Sequence, residues 1–160
     1  MLRRFEAARH LLTNMVREKG HEVASRREWD AVPYEPYDRL SDMSLGWDDR
    51  SEPFLISSLH NSRTIYTEPS ANWLFRLWHD SLHVKYQREF HFQDEMWLSR
   101  EHCRCANQLS FDAGVLMWID TAGQSIHYDQ YGFFPDDQLS FAYYQFLKFY
   151  ERGYHVISRH

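Results

Sequence analysis

Cysteine is nearly absent: the 160-residue chain has two, Cys103 and Cys105. They stand too close together to staple separate elements, so a disulfide scaffold is excluded and a reducing, cytoplasmic setting is expected. Residues two apart on a helix point about 200° from each other, so the two thiols are not expected to chelate together but to serve as packing. Glycine and proline are also few, at 6 and 5, which excludes collagen-like, low-complexity and turn-rich all-β classes. No run of 18 apolar residues exists, so no membrane span is expected. The opening Met1-Leu2-Arg3-Arg4-Phe5-Glu6 lacks a following apolar stretch, so no secretory signal is expected. No glycine-rich phosphate loop and no Gly-x-Ser-x-Gly elbow is present, which excludes nucleotide binding and serine hydrolysis by those routes.

Positive charge is in deficit, with 18 Lys and Arg against 23 Asp and Glu. A net charge of −5 disfavours direct binding to nucleic acid unless the charges are sorted onto separate faces. What the chain has in excess is aromatic residues, at 17%, which supply ample core volume for one domain.

The pattern predicts a mainly α fold: a compact helical bundle with a long irregular wrap and one small β-hairpin. Phe5, Ala8, Leu12, Met15 and Val16 form a 3.6-residue stripe over 2–19, with Gly20 as the C-cap and the basic residues on a solvated face. Residues 21–53 show no period; Val32-Pro33-Tyr34-Glu35-Pro36-Tyr37 should be extended, and Trp29, Tyr34, Tyr37 and Trp47 should pin the wrap. Phe54–Leu59 and Arg63–Tyr66 read as a hairpin turning at His60-Asn61. Ser70 is a possible N-cap for a helix over 71–89, whose apolar side holds Phe75, Leu82, Tyr86 and Phe90 with Leu74 and Trp78. A second helix should begin near Gln93-Asp94 and reach about 130, broken near Gly114 or Gly123. The last should start at Pro135-Asp136-Asp137, with Phe134 as its staple and Gly153 as its end.

His79 and His83 carry the best candidate for chemistry. Four residues apart on a helix, they share one face, the spacing by which helices offer two imidazoles to one metal ion. Zinc proteases place a Glu after the first His; here that position is Asp80. The third ligand should be Glu95 or His102 from the next helix, which lie about 10 Å apart in rise, so one of them meets the pair more readily. Asp120 is about 27 Å beyond His102 on a straight helix and needs a break to approach. The ion would be divalent: zinc, manganese or iron. The structural alternative is that both imidazoles are core residues satisfied by hydrogen bonds, with the carboxylates as their acceptors.

His79-Asp80, with His83, resembles the paired signature of the HD-domain phosphohydrolases. That resemblance implies an all-helical fold, a phosphoester substrate and metal ligation by His79 and Asp80, with His60 upstream and Asp112 or Asp120 downstream. A wider pattern is similar to a family of helical phage and mobile-element proteins: His79 to His83, Phe92, Glu95, Gly123-Gln124, and Phe134-Pro135-Asp136-Asp137-Gln138. It implies a host-cell cytoplasmic location and no particular activity.

Two functions follow as expectations. In a metal-dependent hydrolase, His79, His83 and Glu95 or His102 hold the ion, and Asp80 or Glu95 moves the proton for a small phosphoester. In a non-catalytic phage or mobile-element protein, an acidic surface docks on a host defence complex and inhibits it.

Overall fold

The computed structural model describes residues 1–61 and 63–152. The fold is mainly α. In chain order the elements are α1 (Leu2–Ala24), β1 (Trp29–Val32), α2 (Leu40–Asp48), β2 (Phe54–Ser57), α3 (Pro69–Tyr86), α4 (Phe92–Asn107), α5 (Phe111–Trp118), a π-helical turn (Ile119–Gly123), α6 (Gln124–Tyr131) and α7 (Gln138–Arg152). No helix among the described residues is long and apolar enough to cross a membrane.

The α1 stripe is buried as its spacing predicts: Phe5, Ala8, Leu12, Met15 and Val16 are each at most 6% exposed. This face packs on α3 and α5, and α4 in turn lies along α5. The helix does not stop at Gly20, which is no C-cap. Gly20 marks a close crossing: a Cβ there would stand 2.5 Å from Leu74 Cβ and 2.6 Å from the Leu74 carbonyl oxygen. Gly20→Ala forces α1 and α3 apart and should cost about 1–3 kcal/mol, measurable as a lowered urea midpoint with an unchanged slope.

The expected hairpin does not form. Phe54–Ser57 pairs in parallel with Trp29–Val32, with Trp29 opposite Phe54 and Val32 opposite Ser57. Beyond it, His60 and Arg63 take left-handed backbone conformations, at φ 54° and 58°. The wrap is thus more regular than its sequence suggests, with one strand and one short helix. Its small core joins Met43, Phe54, Ile56 and Leu77, flanked by Trp29, Tyr37 and Trp47; Tyr34 is 52% exposed and pins nothing there.

α3 starts one residue before the expected Ser70 cap, with Pro69 in its first turn and Glu68 at the N-cap, and ends when Gln87 turns left-handed. The second long helix breaks at neither glycine but at residues 108–110, where the Ser110 hydroxyl caps a new helix by accepting from the Ala113 N–H. Gly114 lies inside α5, and Gly123 closes the π turn. α7 begins at Gln138 rather than Pro135, with Asp137 accepting from the Ser140 N–H. Phe134 is no staple: it is 43% exposed and lies against Tyr128. Gly153, the expected end of the last helix, lies outside the described residues.

Candidate metal centre

The chain reverses sharply after α3. Left-handed Gln87 ends the helix, and Asp94 in the first turn of α4 gathers the connection by accepting from the Glu89 N–H at 3.0 Å and from Arg88 at 3.0 Å. This return brings the first turn of α4 over the His79–His83 face of α3. Glu95 points at both imidazoles: its Oε1 lies 3.2 Å from His83 Nε2 and its Oε2 3.4 Å from His79 Nε2, while the two Nε2 atoms are 3.0 Å apart. Among the described residues, these three side chains are the group of His, Cys, Asp and Glu close enough to share an ion. A tetrahedral zinc ion with bonds of about 2.0–2.1 Å separates its ligand atoms by about 3.3 Å, so the spacing fits.

The remaining ring nitrogens are anchored from behind. His83 Nδ1 donates to the Arg88 carbonyl at 2.8 Å, leaving Nε2 with a free lone pair. His79 Nδ1 lies 2.9 Å from Nε2 of His102. Two proton arrangements satisfy that contact. Without an ion, His102 donates to His79, whose Nε2–H then donates to His83 or Glu95. With an ion, His79 donates to His102 and three lone-pair donors converge on one point, a cluster that needs a cation between its members. His102 is fully buried beside Phe75 and Trp78, and its Nδ1 has no hydrogen-bond partner among the described residues. Of the two expected third ligands, Glu95 therefore faces the histidine pair and His102 stands behind it.

The imidazoles and the carboxylate act on each other electrostatically. Burial alone would raise the Glu95 carboxyl, but hydrogen bonds and charge from His79 and His83 hold it well below the usual carboxylate range. Burial lowers His83, and Glu95 outweighs this and raises it. Burial, reinforced by His79, keeps His102 well below the ordinary imidazole range.

The triad opens into a cavity of about 850 Å³. Asp80 lines it, its pKa raised by burial against the opposing pull of His79 and His83. His60 and Asp120 line it too, whereas Asp112 is engaged elsewhere by Arg4 and Tyr150. Of the residues implied by the HD-domain resemblance, the structure thus gathers His60, His79, Asp80 and Asp120 around one cavity and leaves out Asp112. The cysteines take no part: Cys103 is buried and its thiol is pushed up to about 12.

The sequence reading missed Arg76 and Tyr66. Arg76 lies three residues before His79 on α3, so helical spacing alone would have shown it. Tyr66 donates to Asp120 at 3.2 Å, and Gln124 donates to the other carboxylate oxygen at 2.9 Å. Asp120 and Gln124 are four residues apart and share a face of the helix, within and just after the π turn, a feature frequent at functional sites.

Burial pushes the Asp120 carboxyl up to about 7, despite the opposing bonds from Tyr66 and Gln124. The folded chain therefore holds this proton more tightly than the unfolded chain. The contribution to stability is fully present below about pH 4 and is lost as pH rises through about 7. Asp120→Asn mimics the protonated form. In paired urea titrations its advantage over the natural chain should grow from pH 4 to pH 7, then level off at on the order of 4 kcal/mol. A constant difference across that range would contradict the assignment.

Comparison with known proteins finds no matching family model, no matching curated protein and no matching solved structure.

Proposed function

We propose that the chain is a metal-dependent hydrolase whose divalent ion, zinc, manganese or iron, is held by His79, His83 and Glu95. The observation that carries this is the convergence of two Nε2 atoms and one carboxylate within 3.0–3.4 Å of each other on the wall of an open cavity. Three protein ligands with the remaining position facing a cavity is the pattern of a catalytic rather than a closed structural site. A bound ion there supplies Lewis acidity and brings the pKa of a bound water toward neutrality. Glu95 is engaged as a ligand, which leaves Asp80 as the carboxylate free to take a proton from water. His102 fixes the ring of His79 and is a positioning residue.

Metal analysis of untagged protein purified without added metal tests the proposal. About one transition-metal ion per chain, lost in the His79→Ala/His83→Ala pair, is expected. A folded natural chain that is metal-free and refuses zinc, manganese and iron would sink it.

A further inference from the structure

We infer that the cavity takes an acyl substrate, an amide or ester, that is uncharged or cationic and carries an aromatic or apolar group, and that it disfavours phosphoesters. The inference rests on the metal reading above and adds the substrate class.

Charge is the first argument. Among the described residues the cavity lining contains five carboxyl groups, from Glu35, Asp80, Glu95, Asp120 and Asp129, against a single guanidinium, Arg76. Arg76 is already committed, donating to the Leu59 carbonyl at 2.7 Å. No lysine among the described residues lines the cavity. Sites that transfer phosphoryl groups surround them with Arg, Lys or paired metal ions. Here one divalent ion and one guanidinium would carry three positive charges; even with the Asp120 carboxyl holding its proton, four acidic groups stand against them, and a phosphate dianion adds to the excess side.

The mouth is the second argument. Tyr128 and Phe134 form a tilted ring pair with centroids 4.7 Å apart, and they line the cavity 50% and 43% exposed together with Phe92 at 40%. Large aromatics left open at a cavity mouth offer an apolar group its burial and a cation a ring face.

The step balances without a redox partner. The water oxygen bonds to the carbonyl carbon and the bond to the leaving nitrogen or oxygen breaks. Asp80 accepts one proton from the water and passes it to the leaving group. The products are a carboxylic acid and an amine or alcohol.

The test uses the full chain charged with cobalt(II), whose visible spectrum reports the ion and whatever displaces its water. Three benzohydroxamates share one metal-binding group and differ at the 4-position: aminomethyl, hydrogen and carboxylate. The aminomethyl probe should bind at least tenfold more tightly than the carboxylate probe at low salt, and the gap should shrink as salt is added. Asp129→Asn should narrow the gap. Tyr128→Ala with Phe134→Ala should weaken all three aromatic probes and leave acetohydroxamate unchanged. An aryl amide or ester should be cleaved, and phenyl phosphate should be left intact. Tighter binding of the carboxylate probe, or hydrolysis of phenyl phosphate with the cobalt spectrum in place, overturns the substrate class and leaves the metal site standing. Absence of a cobalt spectrum overturns the metal reading itself.

Discussion

Arg27→Met is expected to dismantle the wrap while leaving the helical body folded. The Arg27 side chain is 3% exposed, and its guanidinium donates to the backbone carbonyls of Glu28, Gly46, Trp47, Asp49 and Glu52. Those carbonyls come from the end of α2 and from the chain entering β1 and β2. One buried cation therefore closes a segment that has little apolar core of its own. Methionine matches the length but donates nothing, so five backbone carbonyls lose their partner. Charge-assisted bonds contribute about 1.5–3 kcal/mol each and are not additive here, so a total loss of roughly 3–5 kcal/mol is expected. Hydrogen exchange locates it: amides of 28–57 should lose protection while those of α1 keep theirs. Arg27→Lys should recover only part, because an ammonium lacks the planar fork. Native-like protection throughout the methionine variant would refute the role.

Zinc should raise the unfolding temperature of the metal-free protein by about 8–16 °C at a free concentration of 1,000 times the dissociation constant. Binding at that excess stabilises by about 4.1 kcal/mol, and a chain of this length shifts about 2–4 °C per kcal/mol. The gain is mechanical as well as chemical. α3 packs chiefly on α1, and α4 on α5. The ligands come from α3 and α4, so an ion ties the two layers together. His83→Ala should abolish the shift, and His102→Ala should keep the shift but require about 10–100-fold more zinc. Thermal scans with zinc and then with chelator give the answer; a midpoint that ignores both would argue for hydrogen-bonded core histidines.

The histidine pair was legible because it depends on one local rule, the four-residue spacing that puts His79 and His83 on one face. The α1 stripe was legible for the same reason. The choice between Glu95 and His102 was not, since it turns on how α4 crosses α3, and that is decided by left-handed Gln87 and the carboxylate of Asp94. The pairing of Trp29–Val32 with Phe54–Ser57 was also hidden: a parallel partner lies 25 residues away, while the nearer hairpin partner looked just as strand-like. Gly20 looked like a helix end because a glycine tolerated for close packing and one at a cap read alike. The π turn leaves no residue signature that a 3.6-residue period would detect.

The triad lies between residues 79 and 95, whereas the cavity it faces draws walls from Glu35 on one side and from Asp120 to Gln138 on the other. During synthesis, the whole ligand set is outside the ribosome once α4 has emerged, before the π turn, Tyr128 or Phe134 has left the exit tunnel. An ion captured then would bind a half-built site and hold α3 against α4 while the rest of the chain is added.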